Sequence, residues 1–106
     1  MDLKKIQKDV NEWTKQFDPQ YWTPHEILAR LSEEVGELAR EVNHLHGPKK
    51  KKDSEEENNI SDEICDIIFT VVCMANSKGI DLQEKWDEMM QKKHFGRDQN
   101  RYTKKE

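Results

Sequence analysis

Apolar residues recur every three or four positions at Leu3, Ile6, Val10, Trp13 and Phe17, one stripe of an amphipathic helix. Asp18-Pro19 should end it, because the residue before proline avoids the α region. Thr23-Pro24-His25-Glu26 reads as an N-cap, a proline at the first helical position and a glutamate three residues after the cap. A second helix is therefore predicted to run to His46, where Gly47-Pro48 stops it. Its Ile27, Leu28, Leu31, Val35, Leu38, Ala39, Val42 and Leu45 fall within one arc of about 120° and should face a core. A stretch with no apolar member fills 47–58 and reads as a charged, solvated loop. A third helix should start at Asn59 to Ser61 and end before Gly79, a C′ glycine. Between Ile64 and Ala75 only Asp66 and Thr70 are polar, so this helix is apolar on nearly every side. The fourth begins at Asp81, with Glu84 as the second half of a capping box, and runs to His94 before Gly96 ends it. Its apolar face is Leu82, Trp86, Met89 and Met90. A basic tail occupies 97–106, and no strand periodicity or internal repeat occurs anywhere.

The pattern predicts an all-α, four-helix bundle forming one domain over 1–106. Composition sharpens it. Charged residues make up 38% of the chain and apolar ones only 33%, against a usual ~25% and ~45–50%. The charges nearly cancel, at 18 basic against 22 acidic for a net −4, so the chain can fold, but around a small core. A helix apolar all round needs partners on all sides. The economical expectation is a homodimer, with a tetramer as the next step, hiding Phe69, Cys73 or Met74 at the subunit boundary. Trp13 and Trp86, on apolar stripes, are expected in the core.

Several classes drop out. No run of ~20 apolar residues exists to cross a membrane. The charged N-terminus lacks a signal-peptide stretch, which points to the cytoplasm. Cys65 and Cys73 lie eight residues apart on one helix, about 12 Å by rise per residue, beyond the ~7 Å a disulfide spans. The acidic balance disfavours a nucleic acid polymer as partner. His44 and His46 point to different sides of their helix and make a poor metal pair.

Candidate chemistry lies in the acidic residues. Glu33, Glu34 and Glu37 sit at the edge of the second helix's apolar arc, where like charges repel unless a cation intervenes. Glu63 and Asp66 share a face of the third helix, and Asp66 lies among Cys65, Ile67 and Ile68, where an ionised carboxylate is costly unless paired or metal-bound. Two antiparallel helices would converge these carboxylates on one point. Hard oxygen donors without His or Cys suit Mg²⁺, or Mn²⁺.

EEVGE, followed after 25 intervening residues by EICD, resembles the EExxE…ExxD pattern of the MazG-like nucleoside triphosphate pyrophosphohydrolases. These belong to the all-α NTP pyrophosphatase superfamily, and the likeness is greatest to its short stand-alone bacterial branch. It extends over TPHEILARLSEEVGELAREVNH and SDEICDIIFTVVCMANSKGIDL, so it spans Tyr21 to Leu82. The resemblance implies hydrolysis between the α- and β-phosphates of a nucleoside triphosphate, as nucleotide-pool house-cleaning. It implies Mg²⁺ held by Glu34, Glu37, Glu63 and Asp66, with Glu33 assisting or holding a second ion or its water. It implies phosphate contacts from the end of the last helix, for which Lys92, Lys93, Arg97 and Arg101 are the candidates, and a base contact near Trp22. A non-catalytic helical oligomer and a metal-binding module of the same fold are the alternatives.

Overall fold

The computed structural model describes residues 2–48 and 59–106. Most of the predicted 47–58 loop lies outside the described residues. The order is α1 (Asp2–Thr14), α2 (Pro24–His46), α3 (Ile60–Ser77) and α4 (Leu82–Met89), continued by a π-helical run over Met90–Arg97. Among the described residues there is no strand, and no helix is long and apolar enough to cross a membrane.

The caps follow the sequence closely. The Thr23 hydroxyl accepts the Glu26 amide while the Glu26 carboxylate accepts the Thr23 amide, a complete capping box. Asn59 caps α3 by accepting from the Asp62 amide. Asp81 caps α4 by accepting from the Glu84 amide, the first half only of the capping box expected from Asp81 and Glu84. At the end of α3, Gly79 adopts a φ of +67°. There the Gly79 amide donates to Asn76 O and the Ile80 amide to Ala75 O, the paired bonds of a Schellman ending.

Two helix ends depart from expectation. The first helix stops at Thr14 rather than Phe17. Gln16 Nε2 donates to the Trp13 carbonyl, the acceptor a continuing α-helix would give to the Phe17 amide, which turns to Thr14 O instead. The last helix does not end at Gly96. A Cβ there would lie 2.9 Å from Gln91 O, so glycine admits the close approach that lets the wider winding pass through to Arg97.

The core is thin. Buried apolar side chains are Val10, Ile27, Val72 and Ala75, while Glu34, Glu41, Glu63, Thr14, Thr70 and Gln83 are buried polar ones. α2 packs along α3, and α1 packs on α3 and α4. On α1 the inward positions are Val10 and Thr14 together with Gln7, whose Nε2 donates to Asn76 Oδ1 and Ile80 O while its Oε1 accepts from the Leu82 amide. Asn76 Nδ2 in turn donates to Gln7 O and Tyr21 Oη, and the Tyr21 hydroxyl donates to Asn11 Oδ1. These amides fix the rotation of α1, so Trp13 is turned outward and is 54% exposed, not core. Trp86 is likewise outward, because Gln83 takes the buried position and accepts the Leu3 amide.

The apolar arc of α2 faces the core only in part within one chain: Ile27 is buried and Leu31 and Leu38 are half-buried. α2 meets α3 along Ile27, Glu34 and Glu41, leaving Leu28, Val35, Val42 and Leu45 exposed. On α3, Ile64, Ile68, Phe69 and Val71 are also exposed. The radius of gyration is 17.4 Å, against ~13 Å for a compact chain of this length.

Candidate active site

Where α2 crosses α3, carboxylate oxygens of Glu34, Glu37 and Glu63 lie within 4.8 Å of one another. Glu34 and Glu37 are at spacing three and share a face of α2, and Glu63 is in the first turn of α3, where the helix dipole favours an anion. Glu34 is 2% exposed and Glu63 1%. With Val72 they are the largest fully buried side chains among the described residues. Oε2 of each is buried without a hydrogen-bond partner among those residues.

Such burial raises both carboxyls above their ordinary range. For Glu34 the main cause is desolvation, with Arg30 opposing it and Glu37 and Asp66 adding to it. For Glu63 desolvation again leads, reinforced by Glu37, Asp66 and Glu34, and its pKa is pushed up to about 7. An all-oxygen donor set with two orphaned oxygens matches what a hard divalent cation requires.

Asp66 is placed differently from expectation. It is exposed rather than buried among apolar groups, although it shares a face of α3 with the buried Glu63 and Thr70. Asp66 stands at the rim, lining a pocket with Glu34. Glu33 stays outside the cluster, exposed, with Arg30 Nη1 3.4 Å from its Oε2. Lys92, Lys93, Arg97 and Arg101 do not line this pocket. Lys92 pairs with Glu88 at 3.1 Å, and Arg97 and Arg101 each reach Asp98 at 3.1 Å.

The pocket opens directly beside the carboxylates and measures about 590 Å³. Trp13, Phe17, Tyr21, Trp22 and Phe69 give it an aromatic wall, and Arg30, Glu34 and Asp66 give it a charged end. Trp13 and Phe69 meet edge to face at 5.9 Å between ring centres. Trp22 lies at the pocket, as expected. Trp13, Phe69 and Arg30 were not picked out by sequence reasoning. Trp13 was expected in the core and Phe69 at the subunit boundary, while Arg30 carried no expectation.

A family model for the MazG nucleotide pyrophosphohydrolase domain matches residues 22–102. The chain belongs to the MazG nucleotide pyrophosphohydrolase family. It is 46% identical over 104 residues to YpjD of Bacillus subtilis strain 168, an uncharacterized protein. That match covers 98% of this chain and 93% of YpjD. The crystal structure of Bacillus subtilis YpjD superposes with a TM-score of 0.75 over 87% of this chain and 94% of that one. A MazG protein conserved in Bacillus, a nucleotide pyrophosphohydrolase, gives a TM-score of 0.71 at 43% identity, covering 85% and 86%. The carboxylate cluster and its pocket thus belong to a MazG nucleotide pyrophosphohydrolase fold, all-helical as expected.

Proposed function

We propose that this MazG domain hydrolyses nucleoside triphosphates between the α- and β-phosphates in a divalent-cation-dependent reaction, releasing a monophosphate and pyrophosphate for nucleotide-pool house-cleaning. One observation carries the reading: a three-glutamate cluster holds two buried, partnerless carboxylate oxygens, and one of its members, Glu34, lines an aromatic pocket. Glu34, Glu37 and Glu63 would hold Mg²⁺ or Mn²⁺, with Asp66 reaching in from the rim. Bound there, the ion would supply charge neutralisation for the triphosphate and acidify a ligated water.

The chain's own groups do the rest. Trp13, Trp22 and Phe69 present flat faces for a base, with the sugar and phosphates directed toward Arg30 and the glutamates. Glu33, exposed next to the cluster, is free of burial and can accept a proton from an attacking water. No nucleophilic side chain is required.

The same reading includes a homo-oligomer. The surface of the single chain is 8643 Å², well above the ~6,200 Å² typical of a compact monomer of this mass. Exposed apolar residues run from Leu28, Val35 and Val42 on α2 to Ile64, Ile68 and Val71 on α3. A two-fold pairing of these faces would complete the bundle.

The experiment is pyrophosphate release from a panel of canonical and modified nucleoside triphosphates, with and without Mg²⁺. Release that depends on Mg²⁺ is expected for at least one nucleotide. No pyrophosphate from any nucleotide, with Mg²⁺ or with Mn²⁺ in its place, would sink the reading.

A further inference from the structure

Sequence reasoning looked for phosphate-binding cations at the end of the last helix, yet none of those residues lines the pocket. One cation does so among the described residues, and it is Arg30. Its Nη2 lies 2.5 Å from Glu34 Oε1, and its Nη1 lies 3.4 Å from Glu33 Oε2. Glu34 is thereby divided. Oε1 faces the guanidinium, while Oε2 is buried without a partner in the glutamate cluster.

An ordinary surface pair at spacing four joins two mobile, solvated groups. Here one partner is sealed at 2% exposure and the other is about half exposed. The arginine is therefore anchored at one edge and open at the other. A guanidinium carries five N–H donors in a planar fork. Two are directed at Glu34 and Glu33, and three remain for an incoming anion. Planar forks of this kind match phosphate oxygens in pairs.

We infer that Arg30 is the substrate's phosphate anchor at this site, held by Glu34 at the junction between the aromatic pocket and the carboxylate cluster. The inference rests on the pyrophosphohydrolase reading and deepens it. A triphosphate whose base stacks on the tryptophans must run past Arg30 to reach the glutamates. One arginine tied to a glutamate of the cluster sets the spacing between the two ends of the substrate. It does so from α2 itself, with no contribution from the C-terminal tail.

The test compares Arg30→Ala and Arg30→Lys in the full chain. Non-hydrolysable α,β-methylene analogues of the four deoxynucleoside triphosphates, and the matching nucleosides, are titrated in Mn²⁺ with the fluorescence of Trp13 and Trp22 as readout. Mn²⁺ binding without nucleotide is measured by calorimetry. Arg30→Ala is expected to weaken the analogue that wild type prefers about 10- to 100-fold. Its nucleoside should change less than about twofold, since stacking is untouched. Arg30→Lys should fall between, keeping the charge and losing the fork, and it decides the matter if Arg30→Ala does not fold. Unchanged analogue affinity would overturn the inference. So would equal losses for analogue and nucleoside, or a parallel loss of Mn²⁺ affinity, which would make Arg30 only a support for Glu34. If wild type binds none of the analogues and releases no pyrophosphate from the nucleotide panel, the pyrophosphohydrolase reading itself fails, a separate result from wild type and Arg30→Ala binding alike.

Discussion

Two polar regions flank α3, one half-buried and one fully buried, and they are built on opposite principles. On one side, Gln7, Asn76, Tyr21 and Asn11 donate and accept in a closed set that ties α1 to α3 and to the start of α4. On the other, Glu34 and Glu63 are buried deeper yet leave an oxygen each without a partner. Neutral amides supply donors and acceptors in equal measure and can satisfy one another. Ionised carboxylates only accept, so a cluster of them is incomplete without something that brings positive charge. The satisfied region positions helices. The unsatisfied one is where the chemistry is expected.

That contrast can be broken from either end. The largest effect should come from Glu34→Gln or Glu63→Gln, which leave shape intact and remove a charged donor. Hydrolysis should fall by more than the ~10–100-fold typical of mutating a metal ligand's supporting partner, read as kcat/KM for pyrophosphate release. Full activity in both variants would remove these residues from the site. In chelator-treated protein, Glu63→Gln should instead raise the melting temperature, because it discharges a buried, unpaired group.

Next in size is assembly. Ile68→Glu places a charge in the exposed stripe of α3, away from the pocket. Sedimentation equilibrium should show dissociation, since each large apolar side chain returned to water forfeits ~1.5–3 kcal/mol. A folded, active wild-type monomer at micromolar concentration would refute the oligomer. Phe69, expected from the sequence at the subunit boundary, is a poor probe because it packs on Trp13 within the pocket wall.

On the satisfied side, Asn76→Ala should cost stability rather than chemistry. It removes three hydrogen bonds at once, those of Asn76 with Gln7 Nε2, Gln7 O and Tyr21 Oη, at about 0.5–1.5 kcal/mol each, while Gln7 Nε2 keeps Ile80 O and Tyr21 keeps Asn11. Thermal melts should fall accordingly, while KM for the folded enzyme changes little. A large KM change with an unchanged melt would reverse the roles of the two regions.

The smallest effect is in pH. Glu63 has its pKa raised from 4.5 to about 7 in the folded chain. The folded state therefore holds a proton that the unfolded state releases between those values. Stability of metal-free protein should be greatest below about pH 4.5 as far as this group is concerned, and should decline as pH rises through 7. Glu63→Gln should flatten that decline; an identical slope in wild type and variant would assign it to other groups.

Helix order, caps and the acidic motif were legible in the sequence because each depends on near neighbours. Thr23 with Glu26, Asn59, Asp81 and Gly79 all act within a turn of their own position. The convergence of Glu34, Glu37 and Glu63 was legible because spacing on two antiparallel helices constrains it. Which face of a helix is covered was not. Hydropathy at Leu28, Val35 and Val42 marks a surface that avoids water, and it does not distinguish a neighbour in the same chain from one in another. Trp13 was misread for a related reason: the rotation of α1 is set by Gln7 and Asn76, 69 residues apart, and polar amides carry no weight in an apolar stripe. Asp66 was misread because its flanking residues are apolar, although its own direction is toward the rim.

The π-helical run gives Gly96 an influence on residues it never touches. In an α-helix, residues five apart point about 140° away from each other. Wound with i→i+5 bonds, Lys92 and Arg97 come one turn apart on adjoining positions of Met90–Arg97. The layout of positive charge at this end of the molecule is thus decided by a residue with no charge and no side chain. A methyl group at position 96 would press on Gln91 O and favour tighter winding. It would redraw the electrostatic pattern while leaving every lysine and arginine in the sequence as it was.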